Sequence, residues 1–141
     1  MKSIEERVAE IKDKHTRGYN CAQIVLCSYA EELGIDEETL FRISEGFGAG
    51  MGGMTETCGA ISGAVAIMGF VMSDGMENPK TKGQTYKLSR EIAKRFGEKN
   101  TTTVCGTLKG IGSDKGPLRS CPGCIDDAVE IACDVLKQLA E

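Results

Sequence analysis

Apolar residues recur at three- and four-residue spacing through most of this 141-residue chain, and no stretch sustains the two-residue alternation of a strand. The pattern predicts an all-α fold, a compact bundle of five or six helices. At roughly 100 to 200 residues per domain the length allows one unit, so residues 1–141 are read as a single helical domain. Hydrophobic residues make up 40% of the chain and aromatics only 5%, with no Trp and 18 Gly. Such a core must be aliphatic and closely packed.

Start and stop signals divide the pattern. Ser3 with Glu6 forms a capping box that opens a first helix running to about Lys14. Asn20 with Gln23 opens a second, whose stripe of Ala22, Val25, Leu26, Tyr29, Ala30 and Leu33 continues until Gly34. Asp36 caps a third, with Leu40 and Ile43 inward. Residues 46–53 (GFGAGMGG) are too glycine-rich for a regular element and predict a loop, mobile or closely packed, up to Glu56. Thr57 caps a fourth helix in which Gly59, Ser62, Gly63 and Ala66 form a small-residue face. That face suits close packing in the centre of the bundle, or an interface with a partner or a second copy. A fifth helix runs to Phe96 and is closed by Gly97. Residues 98–120 are mostly irregular, with one turn around Val104 to Leu108, and a last helix begins near Pro122.

Several classes of function are excluded. Lys plus Arg number 17 against 21 Asp plus Glu, a formal charge of -4, and no basic stripe exists to follow a phosphate backbone, so nucleic acid is not an expected partner. The first 14 residues contain no apolar run of the kind a secretory signal needs, and the chain is expected to be cytoplasmic. Residues 57–73 are uncharged but shorter than a membrane span, so no membrane insertion is expected. Gly48, Gly50 and Gly53 satisfy GxGxxG, yet no strand leads into them and a dinucleotide site does not follow.

Seven cysteines remain, an odd number at a density below that of a disulfide scaffold, and in a reducing compartment such thiols serve metal binding or redox chemistry. Cys21, Cys58, Cys105 and Cys121 fall at or beside expected helix starts. Unpaired backbone N–H groups and the helix dipole there favour a thiolate or a bound anion. Cys27 and Cys133 fall in mid-helix and read as small buried hydrophobes.

Gly18-Tyr19-Asn20-Cys21-Ala22, Gly46-Phe47-Gly48, Thr57-Cys58-Gly59-Ala60-Ile61-Ser62-Gly63, Cys105 and Cys121-Pro122-Gly123 occur in that order across nearly the whole chain. Together they resemble the redox-active family C_GCAxxG_C_C. The resemblance maps the four family cysteines onto Cys21, Cys58, Cys105 and Cys121. Cys27, Cys124 and Cys133 are additions.

The four are 37, 47 and 16 residues apart, which is neither the paired CxxC of a zinc ribbon nor the clustered CxxCxxC of bacterial ferredoxins. Any site must therefore be assembled by tertiary structure. Four such thiolates suit a [2Fe–2S] or [4Fe–4S] cluster for electron transfer or redox sensing, with zinc or no metal as alternatives. N–H groups of Gly48, Gly50 and Gly59 are expected to approach the cofactor. In a rival reading Cys121 and Cys124 are the catalytic pair of a thiol-disulfide oxidoreductase, although the strand that precedes a thioredoxin-type CxxC is missing. A third makes the chain a structural zinc or interaction module. Either redox reading implies a redox partner protein, and a homodimer is compatible with all three.

Overall fold

A computed structural model describes residues 1–141. Its helices are α1 (Ile4–Thr16), α2 (Cys21–Cys27), α3 (Ala30–Leu33), α4 (Glu37–Ser44), α5 (Gly59–Met72), α6 (Lys82–Asn100), α7 (Cys105–Leu108) and α8 (Cys121–Ala140). The all-α expectation holds, but there are eight helices rather than five or six. The expected turn near Val104 is helical as α7, and the second expected helix is broken in two. No helix is long and apolar enough to cross a membrane.

The break has a specific cause. Arg7 on α1 is fully buried, and its guanidinium donates to the Ser28 carbonyl at 2.6 Å while lying 3.8 Å from the Tyr29 ring centroid. The Ser28 carbonyl, engaged by a buried cation, takes no bond from the Glu32 amide; beside it Tyr29 N–H bonds back to Leu26 and a new helix begins at Ala30. Most of the other signals are obeyed. Ser3, Asn20, Asp36 and Ser120 all accept capping bonds, Asn20 and Gln23 in a reciprocal box, and Gly34 is left-handed after α3. Gly97 does not end its helix; α6 continues to Asn100 and stops at Thr101, whose φ is 78°.

Helix α5 is the centre of the bundle, packed against α2, α6 and α8. Gly59 and Gly63 of its small-residue face are turned inward, whereas Ser62 is half-buried and Ala66 exposed. A Cβ at Gly63 would stand 3.0 Å from the Ala22 carbonyl and 3.1 Å from Val25 Cβ, so this part of the face serves close packing on α2. Around α5 the core is aliphatic, with Ile24, Ile61, Ile67, Ile92, Ile125 and Val129 fully or almost fully buried beside Tyr29 and Phe96. The Tyr29 hydroxyl donates to the Val129 carbonyl at 3.0 Å, which ties α8 to the α2–α3 junction.

Gly48 and Gly50 of the glycine-rich segment are buried, while Gly46, Phe47, Met51, Gly52 and Gly53 are exposed. A short 3-10 turn over Glu45–Phe47 leads into a wide turn over Gly50–Met54; Ala49 just before it and Gly50, Met51, Gly52 and Met54 within it all have positive φ. Each non-glycine residue held there costs roughly 1–2 kcal/mol, so the turn persists only because its surroundings fix it. They do so through Glu56 N–H to the Gly50 carbonyl, Cys105 N–H to the Glu56 carbonyl at 2.9 Å and Cys58 N–H to the Thr103 carbonyl at 2.8 Å. Thr57, expected as a helix cap, instead forms an isolated antiparallel bridge with Val104, and Cys58 takes the cap position of α5. That exchange brings the starts of α5 and α7 side by side.

Candidate functional site

Cys21 and Cys121 are the first residues of α2 and α8, Cys105 opens the single turn of α7, and Cys58 precedes α5. All four line one small, partly open cavity with Cys124, Ala49, Leu108, Lys109 and Arg119. Cysteines distant in the chain are thus assembled by the fold, and Cys124 joins them as a fifth. Cys58, Cys105 and Cys124 are buried, while Cys21 and Cys121 are half-buried. The other two thiols lie elsewhere. Cys27 contacts the Glu37 carbonyl at 3.7 Å, and burial pushes its pKa up to about 11. Cys133 is sealed in the core.

The glycines act by yielding space to sulfur and backbone. A Cβ at Gly59 would lie 2.6 Å from Cys21 Sγ and 2.7 Å from the Phe47 carbonyl, and one at Gly50 would lie 2.5 Å from Cys105 Cβ. Gly48 has another neighbour. A Cβ there would strike the Asn20 side chain at 2.4 Å, so this glycine seats the loop on the α2 cap.

The thiols also influence one another's ionisation. Cys124 and burial push the Cys58 pKa up to about 11, whereas Cys58, working against burial, lowers that of Cys124. Cys58 and then burial raise Cys21, although the Ala49 and Ala22 amides pull the other way. Burial raises Cys105. Cys58 makes no formal capping bond, but the Ala60 amide still favours its thiolate. Cys124 is thus drawn toward ionisation, in contrast to Cys21, Cys58 and Cys105.

Two cations face these sulfurs, and sequence reasoning did not identify them. Burial disfavours the charge on Lys109, but the sulfurs of Cys121 and Cys105 and a hydrogen bond with Cys121 outweigh it and raise its pKa. Arg119 is fixed from behind. Its Nε and Nη2 donate to the two oxygens of Asp127 at 3.0 Å each, and Lys99 Nζ (2.7 Å) and Asn100 Nδ2 (3.0 Å) complete the coordination of that buried carboxylate. Spacing gave a usable signal: Lys109 follows Cys105 by one helical turn, Arg119 precedes Cys121 by two residues, and Asp127 follows Cys124 by three.

Asp127 offers a direct test of this support. Burial opposes its charge, but the Arg119, Lys99 and Asn100 bonds outweigh that and hold its pKa below the usual carboxylate value. A carboxyl depressed in the folded state contributes stability above its unfolded pKa of about 3.9 and loses it as the pH falls through the folded value. Because Lys99 and Arg119 are partly exposed and can be rehydrated, Asp127→Asn should cost about 2 kcal/mol at neutral pH. Urea unfolding of both proteins should show that gap closing below about pH 4.

The donor chemistry suits a soft metal or cluster, with several thiols, helix starts, glycine-lined approaches and two cations to offset negative charge. Its thiols share one cavity without converging on a point. No group of three or more His, Cys, Asp or Glu side chains is preset around a metal position, and the cavity of about 20 Å³ has room for little more than one water-sized species. Loading therefore requires the cavity to widen and the sulfurs to draw in around the group.

Comparison with known proteins gives one match. The family model described as "Putative redox-active protein (C_GCAxxG_C_C)" covers residues 19–135. Neither the curated proteins nor the solved structures yield a match.

Proposed function

We propose that this chain, which belongs to the C_GCAxxG_C_C family, is a redox protein whose pocket thiolates hold an iron–sulfur cluster. One observation carries the reading: Cys21, Cys58, Cys105 and Cys121, each placed at a helix start by a different part of the chain, line a single cavity. When bound, the cluster would supply a centre that takes up and releases single electrons. The protein's own residues account for the rest. Four thiolates would ligate, Lys109 and Arg119 would offset part of the resulting charge, and Leu108 with the turn around Ala49 would limit access of water. Exchange with a redox partner protein would then occur across this end of the bundle, where Cys21 and Cys121 are half-buried.

Anaerobic incubation of the reduced protein with ferrous iron and sulfide tests the proposal. The expected product is coloured, with visible charge-transfer absorption and with iron and acid-labile sulfide in equal amounts per chain. A colourless product without sulfide would end the cluster reading, and stoichiometric zinc in its place would turn it into a structural metal site.

Thiol-disulfide exchange through Cys121 and Cys124 stands as a second reading, because both thiols line the cavity from the first turn of α8 and Cys58 favours the ionised form of Cys124. Metal-free protein should then exchange with a small disulfide substrate, and Cys121→Ser and Cys124→Ser should each abolish turnover. Undiminished exchange in those variants would remove this alternative.

A further inference from the structure

Cys124 lies outside the four cysteines of the family pattern, yet it is built into the pocket. It reaches the cavity from the first turn of α8, and Cys58 reaches the same cavity from the start of α5. Both are nearly sealed, at 3% and 5% exposure. Packing of α5 against α8 fixes their approach. Cys121, the partner that a CxxC spacing would suggest, is only half-buried, whereas Cys58 is sealed as Cys124 is, on the helix packed against α8. The sulfur that matches Cys124 in burial across a packed helix pair is thus remote in sequence.

We infer that Cys58 and Cys124 form a reversible disulfide when a small peroxide enters the pocket, and that this bond withdraws Cys58 from the metal-binding set. The second clause rests on the cluster reading above; the first does not. Size selects the oxidant. A cavity of about 20 Å³ accepts a species near the size of water, whereas a tripeptide disulfide cannot reach sulfurs buried this deeply.

The step balances with hydrogen peroxide alone. The Cys124 sulfur attacks one peroxide oxygen, the O–O bond breaks, and the departing hydroxide takes the thiol proton and leaves as water, giving a sulfenic acid. Lys109 and Arg119 line the same cavity and would stabilise the departing hydroxide. The Cys58 sulfur then attacks the Cys124 sulfur, the S–S bond forms, the S–O bond breaks, and the leaving hydroxide takes the Cys58 proton as a second water. Two thiols are oxidised, one peroxide is reduced to two waters, and a dithiol such as dithiothreitol reverses the result.

The test uses the full chain, reduced and stripped of metal, treated with one equivalent of hydrogen peroxide, quenched with N-ethylmaleimide and digested without reductant. Mass mapping should find a Cys58–Cys124 linkage that dithiothreitol removes, and glutathione disulfide should produce little of it. A dominant Cys121–Cys124 or Cys21–Cys58 linkage, or none at all, overturns the assignment, and equal yield with glutathione disulfide overturns the size selection. Cys124→Ser should leave Cys58 unlinked; because the linkage is mapped in the unsubstituted chain, the test survives a variant that fails to fold. Oxidised protein should take up iron and sulfide only after dithiothreitol. Equal uptake before and after overturns the withdrawal of Cys58, while failure of reduced protein to load rejects the cluster and leaves the disulfide result standing.

Discussion

Gly50→Ala is expected to destabilise the protein by about 3 kcal/mol, against about 1 kcal/mol for Gly52→Ala two residues further on. Both positions are left-handed, with φ of 52° and 85°, so both variants carry the conformational cost of a Cβ in that region. They differ in space. The new methyl at Gly52 meets nothing within 4 Å, whereas at Gly50 it would stand 2.5 Å from Cys105 Cβ and 2.8 Å from the Glu56 carbonyl. The second neighbour is backbone and cannot rotate away, since the same carbonyl accepts the Cys105 N–H that fastens α7. Relief must therefore come from moving Cys105 or the wide turn, and either shift opens the pocket. Urea unfolding measures the cost. Gly50→Ala should also lose iron and sulfide uptake under conditions where Gly52→Ala keeps it. Equal behaviour of the two variants would mean that the turn serves only as a connector.

That comparison shows where sequence reasoning reached and where it stopped. Capping residues act on amides two or three positions away, so Ser3, Asn20 and Asp36 marked their helices correctly. The same locality explains why Cys21, Cys58, Cys105 and Cys121 could be placed at helix starts from spacing alone. What decides the remainder is tertiary. Nothing near Ser28 announces a break, because the group that takes its carbonyl is Arg7, 21 residues earlier. Gly97 resembles a terminator but remains helical because α6 packs on both α5 and α8. Ile43 fits the inward stripe of α4 and is nevertheless exposed, since that short helix has no neighbour on its far side. Sequence analysis singled out neither Arg119 nor Asp127, eight residues later, whose two bonds fix the guanidinium beside the sulfurs.

Among the seven cysteines, the largest expected contrast lies between those that line the cavity and those that do not. Cys21→Ser, Cys58→Ser, Cys105→Ser and Cys121→Ser should each lower iron and sulfide uptake by more than about tenfold, because even outer-shell changes at metal sites typically cost 10–100-fold. A serine hydroxyl stays protonated at neutral pH and offers a hard oxygen where a soft thiolate is required. Cys27→Ala and Cys133→Ala remove buried sulfurs of the same type, but from sites outside the cavity. They should cost about 1 kcal/mol of stability through lost packing and leave uptake intact. Folding and loading are thereby separated: a general effect of losing buried sulfur would appear in both sets, whereas ligation appears only in the first. If the four cavity variants loaded as well as the unsubstituted chain, their convergence would reflect packing at the junction of α2, α5, α7 and α8, and redox chemistry in this protein would have to be sought among its thiols alone.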